Sequence, residues 1–527
     1  MKYTFRLPIG PGPFALSFLS GILLTMAFPK LGMWPLIFVG LTPIALAAAD
    51  MPPKQAFWTG WLAGMVYSVG LLYWLVHVLT YYGGLPYFAA LPLFLFMVMY
   101  LGLYPGLFLW ILALARDHLK VAWGSVIWIL LGAAVYCGLE YFKGFFLTGF
   151  PWEPLGGALA GSLPMVQFSD IVGTGGLTFL VVVVNLALAA SVQAASGPVK
   201  RPKAIVASLV LAVVVIGGLL VYGYAQLADW GRKIADAPSH NAAVAQGSIK
   251  QELKWNPEMR VNIMIKYRDL TIEAAKSDPW LTVWPETALP FVFLKDPGVT
   301  RWMKDLVKET GHAVLFGAPA YEGEGDATRF YNRAYLLDAK GDVTGYYDKV
   351  HLVPFGEYVP LKPILWFVNK ITQAAGDYYP GEVGTLLPLD DQKVGVLICY
   401  ESIFPELARK AVKNGATLLT IITNDAWFGT SAAPYQHFDQ GILRAVENRR
   451  AVLRAANTGI SGIIMPDGRV TKRLDLFVSG VLTGSVPLIR EKTFYTVAGD
   501  VIPQLGLAAA VLVLAAALYR RKYAARS

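Results

Sequence analysis

Cysteine is almost absent: among 527 residues the only thiols are Cys137 and Cys399. Cys137 lies within a long apolar run, so a bridge to Cys399 would require a polar segment to reach into lipid, which argues against a disulfide scaffold. Charge is scarce as well, at 15% of residues against 55% hydrophobic. That is too apolar for an ordinary soluble protein and places part of the chain in a membrane. Histidine numbers only six; no Cys/His spacing suggests a metal site, no Cys–His pair stands out, and no cofactor is expected. Internal repeats and low-complexity tracts are missing. The net charge of +9 comes partly from basic residues beside the apolar runs, and reads as topology and lipid-headgroup contact without nucleic-acid binding.

What is present in quantity is apolar length. Stretches over 13–28, 34–50, 57–79, 86–115, 122–142, 166–193, 204–226 and 499–519 include several near the roughly 20 residues that cross a bilayer as a helix. They predict an eight-helix membrane domain: about seven helices in 1–226, a globular domain over 227–498 inserted between helices 7 and 8, and a last helix with a basic tail in 499–527. Cytoplasmic loops retain Lys and Arg, and alternate loops carry them: Lys2 and Arg6; Lys54; Arg116 and Lys120; Lys200, Arg201 and Lys203; Arg520, Arg521, Lys522 and Arg526. Both termini are therefore expected in the cytoplasm and the inserted domain on the opposite, extracytoplasmic face. Met1–Arg6 and the run after it are like a signal peptide without a convincing cleavage site, predicting an uncleaved anchor.

Within the inserted domain, strand-like runs at 242–245, 281–284, 313–316, 334–337, 343–347, 394–398, 417–423, 451–456 and 461–465 alternate with helical stretches at 257–276, 299–310, 403–414 and 434–449. This alternation predicts an α/β layered domain. The polar run 322–328 reads as a hairpin loop. The segment 361–373 places Leu361, Ile364, Leu365, Val368 and Ile371 at helical spacing beside Trp366 and Phe367. Such a helix either packs on its own domain or dips into the membrane interface, where it would serve as a lid over a lipid tail.

Three segments place chemically useful side chains at strand ends. Trp284-Pro285-Glu286 ends a strand at proline and leaves a carboxylate at the tip. Asp348-Lys349-Val350-His351-Leu352-Val353-Pro354-Phe355-Gly356-Glu357 follows the 343–347 strand, and the 394–398 strand stops at Cys399-Tyr400-Glu401. In an α/β sheet, strand ends on one edge form the usual ligand crevice. From the residues alone Cys399 is either an inert buried thiol or a nucleophile; Glu286 and Lys349 are either solvated residues or its partners, and His351 reads as structural. A thiol near its ordinary pKa needs a base or a nearby cation. Glu286 would take the proton, while Lys349 and the backbone N–H of Tyr400 would hold an oxyanion.

Together these motifs resemble the Glu–Lys–Cys signature of the nitrilase, or carbon–nitrogen hydrolase, superfamily. With spans on both sides of the domain, the whole chain is similar to the apolipoprotein N-acyltransferase family of the bacterial inner membrane. The resemblance implies an α-β-β-α sandwich and a ping-pong acyl transfer. Cys399 would take the sn-1 acyl chain of a phospholipid, phosphatidylethanolamine by preference, as a thioester and pass it to the α-amine of an apolipoprotein's N-terminal S-diacylglyceryl-cysteine, completing lipoprotein maturation. Glu357 matches the signature's second glutamate, and Tyr400 and Glu401 match supporting neighbours of the nucleophile. Trp255 and Trp427 match aromatic residues associated with lipid substrates, and Trp366 and Phe367 in the amphipathic segment are further lipid-binding candidates. Glu140, Trp152 and Glu153, near the outer membrane face, are either functional or interfacial.

Two other readings compete: a membrane-tethered amidase using the same three residues on a soluble amide, and a transporter or receptor with an outer ligand-binding domain. Spans nearly free of acids speak against transport, and the apolar 361–373 segment favours lipid over a soluble amide. A monomer is expected, because two lipid substrates need open lateral access.

Overall fold

The computed structural model describes residues 10–196, 200–359 and 377–524. The chain forms two compact units, one of Met1–Val76, Pro86–Tyr224 and Asp500–Ser527, the other of His77–Leu85 and Ala225–Gly499.

The first unit is helical. Among the described residues five helices are long and apolar enough to cross a membrane: Tyr87–Leu119, Val126–Lys143, Ser169–Ser196, Pro202–Asp236 and Val501–Lys522. Pro53–Leu72 and Trp74–Tyr82, bent by 55°, make a sixth if counted as one span. The apolar run 34–50 is not one continuous helix. It forms a 3-10 turn, Trp34–Phe38, and a short helix, Thr42–Ala47, because Pro35 and Pro43 each suit only the start of a helical segment. Helices Val126–Lys143 and Val501–Ala524 meet through glycine. A Cβ at Gly138 would strike the backbone of Gly506 and Leu507, and one at Gly506 the backbone of Ala134 and Gly138. Lipid tails are as apolar as leucine, so such close approach, with the van der Waals contact it permits, is what holds membrane helices together.

The second unit contains twelve described strands: β1 (Ser239–Gln246), β2 (Leu281–Val283), β3 (Ala313–Glu322), β4 (Arg329–Leu337), β5 (Val343–Asp348), β6 (Leu386–Leu389), β7 (Gln392–Ile398), β8 (Leu418–Thr423), β9 (Val452–Ala456), β10 (Ser461–Ile464), β11 (Val470–Leu474) and β12 (Gly480–Pro487). They form two sheets, ordered β12-β1-β2-β3-β4-β5 and β11-β10-β9-β8-β7-β6. β1, β2 and β3 are parallel neighbours in the first sheet, and β7, β8 and β9 in the second. Alternation along each strand builds the layers. In β3, Ala313 and Leu315 face a core shared with Val396, Ile398, Leu418 and Ile422 of the other sheet. Val314 and Phe316 face Ile263, Tyr267, Met303 and Leu306 of the helices Arg260–Ala275 and Pro297–Thr310. Helices Pro405–Lys413 and Ala433–Asn448 pack on β7 and β9, which completes a helix–sheet–sheet–helix sandwich. Each fully buried aliphatic side chain in these layers contributes roughly 1.5–3 kcal/mol. The 322–328 turn is a short loop with one 3-10 turn at Gly325–Ala327. The amphipathic segment 361–373, with Trp366 and Phe367, lies outside the described residues.

The glycine contact in the membrane unit is directly testable. Gly138→Val forces the helices Val126–Lys143 and Val501–Ala524 apart at an overpacking cost of roughly 1–3 kcal/mol, read as a lower thermal midpoint of the detergent-solubilised protein. An unchanged midpoint would show that the helices do not pack this closely.

Candidate active site

β2 ends at Val283, and Pro285, which has no N–H for a ladder, turns the chain away from the sheet. The turn is fastened to β3 from both sides. Gly317 N donates to the Pro285 oxygen at 3.2 Å, and Leu289 N donates to the Gly317 oxygen at 3.2 Å. Only glycine fits at 317, because a Cβ there would lie 2.5 Å from Thr287 N and 2.8 Å from the Glu286 Cα. Glu286 is thereby set at the strand tip with its carboxylate buried. One oxygen accepts from Asn332 Nδ2 at 2.7 Å and the other from the backbone N–H of Asn424 at 2.9 Å.

Lys349 directly follows β5, and its backbone N–H donates to the Asn332 oxygen at 2.9 Å. Its side chain is 1% exposed and points its ammonium between two carboxylates, 2.9 Å from Glu357 Oε1 and 3.6 Å from Glu286 Oε1. Asn332 Nδ2 also donates to Glu357, at 3.0 Å, so one amide spans both acids. Burial alone would lower the lysine, but Glu357 and Glu286 hold it above its ordinary value, and it stays charged.

Cys399 begins the 3-10 turn that follows β7 and has φ of 54°, a left-handed conformation that costs a non-glycine residue on the order of 1–3 kcal/mol. Two side chains hold it there. Glu401, fully buried, reaches back: one oxygen accepts from Ile398 N at 2.6 Å, the other from Val350 N at 2.6 Å, His351 N at 3.1 Å and the Tyr347 hydroxyl at 2.9 Å. It thus ties the cysteine turn to the segment after Lys349. Burial pushes its carboxyl up to about 7 against the pull of these donors. Beneath the turn, His437 Nε2 lies 3.0 Å from the Cys399 carbonyl oxygen and 2.8 Å from Ser402 Oγ, and Nδ1 lies 2.8 Å from Asp425. Asp425 also accepts from Arg454 at 2.8 Å and from Thr423 at 2.8 Å. Burial would raise Asp425, yet His437 and Arg454 hold it down to about 2.

Cys399 keeps part of its surface exposed, yet protein atoms surround it closely. Burial and the Glu286 carboxylate push its thiol up to about 12, with Lys349 pulling the other way. The thiol is therefore protonated at rest. For such a thiol to act as a nucleophile a proton acceptor would have to take its proton, and Glu286 is an oriented carboxylate in electrostatic contact with it.

The fold thus brings Glu286, Lys349, Cys399, Glu357, Tyr400 and Glu401 together from three strand ends. Trp427, on the 3-10 turn Asp425–Phe428, is half-buried, and Trp255 is 41% exposed. The segment His77–Leu85, the end of an apolar run in sequence, belongs to this unit. Tyr82 donates to the Ala426 oxygen at 2.8 Å and meets the Trp427 ring edge-on at 4.8 Å. Sequence reasoning missed Asn332, Asn424, Asp425, His437, Arg454 and Tyr82. The adjacent Asn424-Asp425 at the end of β8 was the available signal, since two polar residues closing an apolar strand beside two other such ends point to the same crevice. Among the described residues no group of His, Cys, Asp and Glu is placed to hold a metal ion.

Comparison with known proteins agrees with both units. Residues 20–187 match the apolipoprotein N-acyltransferase N-terminal domain, and residues 241–493 match the carbon-nitrogen hydrolase family. The apolipoprotein N-acyltransferase of Geobacter metallireducens is 38% identical over 97% of this chain and 96% of its own length. That of Azotobacter vinelandii is 34% identical over 99% of this chain and 97% of its own. Through its helical N-terminal part as well as its two-sheet domain, the chain belongs to the apolipoprotein N-acyltransferase family.

Proposed function

We propose that Cys399 carries an acyl chain from a membrane phospholipid to the N-terminal amine of a diacylglyceryl apolipoprotein, with Glu286 as base and Lys349 as oxyanion partner. The observation that supports this most directly is the convergence of these three side chains, each fixed by its own strand end, in a chain of this family. Glu286 takes the Cys399 proton as sulfur attacks the sn-1 ester carbonyl. The carbonyl electron pair moves to oxygen, where the Lys349 ammonium and the Tyr400 N–H stabilise it. Collapse expels the glycerol oxygen, which recovers the proton from Glu286 and leaves as a lysophospholipid. In the second half-reaction the amine attacks the thioester, Glu286 takes its proton, and that proton returns to the departing sulfur. Glu357 orients Lys349, Glu401 braces the cysteine turn, and Trp255 and Trp427 contact the lipid. Phosphatidylethanolamine is the proposed donor.

The match of residues 20–187 to the acyltransferase N-terminal domain favours this reading over hydrolysis of a soluble amide. Both substrates are lipids, and a site at the membrane surface avoids extracting an acyl chain through water at about 0.8 kcal/mol per CH₂. The proposed arrangement is an eight-span monomer in the bacterial inner membrane, with both termini cytoplasmic and the catalytic domain, inserted between the last two spans, in the periplasm.

Two experiments test it. Incubation with phosphatidylethanolamine alone adds one fatty-acyl mass to the intact protein; hydroxylamine removes it and Cys399→Ala never acquires it. Adding a diacylglyceryl-cysteine peptide then moves the acyl chain to the peptide amine, whereas release of free fatty acid alone would establish a hydrolase. For topology, Glu324→Cys in a Cys399→Ala background reacts with an impermeant maleimide on intact spheroplasts. Labelling only after lysis would reverse the orientation.

A further inference from the structure

Two carboxylates of the centre, Glu286 and Glu357, share the Lys349 ammonium. A second ammonium lies beside them. Lys254, on the short helix Gln251–Lys254, is 3% exposed, and its Nζ donates to the backbone oxygen of Glu286 at 3.0 Å. An ammonium has three N–H donors, and this bond uses one. The placement is built in. Asn424, whose backbone N–H holds the Glu286 carboxylate, donates through its side chain to Gln251 Oε1 at 2.7 Å. Asn457 exchanges hydrogen bonds with Ile249 at 2.7 and 2.9 Å. The titratable groups that face Lys254 are Glu286 and Cys399; Glu252, on its own helix, accepts from Tyr81 at 3.0 Å.

Burying a cation without a partner carboxylate is strongly unfavourable, so the ammonium calls for a reason. Two carboxylates sharing one ammonium leave the buried site one negative charge in excess. A second positive charge offsets that excess. With Lys254 present, two negative and two positive groups balance, and the balance persists when the charge of Glu286 passes to the oxyanion.

We propose that Lys254 is a positioning residue for acyl transfer: it anchors the Glu286 backbone and supplies the second positive charge that balances the two carboxylates while negative charge passes from Glu286 to the oxyanion. This rests on the assignment of Glu286, Lys349 and Cys399 given above. Burial brings the lysine down to about 8 against the pull of Glu286 and Cys399, so the charge is present below that pH and lost above it.

Single-turnover acylation by phosphatidylethanolamine vesicles, followed by intact mass across this window, tests it. Lys254→Met slows acylation about tenfold or more on the acid side of the window, the effect of losing about 1.4 kcal/mol of transition-state stabilisation. Its deficit shrinks as pH rises through about 8, where the wild-type lysine itself discharges. Lys254→Arg, which cannot discharge there, retains most of the activity and outpaces the wild type progressively above that pH. A wild-type rate in Lys254→Met, or a pH-independent deficit that arginine does not repair, overturns the inference. Should Lys254→Met fail to fold, an arginine profile superimposable on the wild type overturns it equally. Failure of the wild type itself to form a thioester would count against the acyl-transfer assignment instead.

Discussion

The Lys349 ammonium between Glu286 and Glu357 is the interaction around which the rest of the site is arranged. A buried lysine must be paired, and a buried carboxylate must be paired or hydrogen-bonded. These two demands explain Asn332, whose single amide donates to both acids, and the backbone N–H of Asn424 on the second Glu286 oxygen. Removing one partner of such a set costs more than the set contributes, because it strands a charge. The geometry of Glu286 is therefore fixed by several elements at once: the ends of β2, β5 and β8, Asn332 inside β4 and Gly317 of β3.

The second sheet supplies the thiol under a different constraint. Cys399 occupies a left-handed conformation that its side chain disfavours, and it is held there by bonds that pass through its neighbours. Glu401 grips the backbone before the turn and the segment after Lys349, while His437 meets the Cys399 carbonyl from below. The His437–Asp425–Arg454 network is fully buried, and His437 meets the cysteine backbone. That placement fits a support for the turn, while Glu286, ahead of Asp425, is the carboxylate that acts most strongly on the thiol.

Sequence made the proposed reactive residues legible because each closely follows a strand end: Pro285 before Glu286, Asp348 before Lys349, Ile398 before Cys399. Their supports were not legible. Asn332 sits inside β4 and His437 inside a helix, where nothing local distinguishes a bridging amide or imidazole from an ordinary polar residue; their meaning comes from the register of β4 on β5 and from helix packing. Three strands escaped the reading, β6, β11 and β12. β6 spans only Leu386–Leu389, β11 is an edge strand with Thr471, Lys472 and Arg473 exposed, and β12 opens on Gly480 and carries Gly484, so none shows a sustained apolar alternation. In the membrane unit, apolar composition identified the segments but not their continuity, since Pro35 and Pro43 break a run that hydropathy alone joins.

The site also draws on the stability of the sandwich that holds it. Bringing Lys254 from a lysine's ordinary value down to about 8 means that the folded state disfavours the charged form by roughly 3 kcal/mol. That cost is present in full below the folded value and disappears only above the ordinary one, so it is borne throughout the neutral range. The left-handed Cys399 adds roughly 1–3 kcal/mol more. Together these are comparable with the lower end of the net stability of a typical domain, about 5–15 kcal/mol. A fold can carry such a burden only if the surroundings over-determine it, and here they do: the apolar core between the sheets lies directly behind β2, β5 and β7, and each strained or buried group is fastened by at least one bond from another element. A shallower core would let Glu286 and Cys399 relax, the ammonium find water, and the centre lose the arrangement on which the proposed chemistry depends.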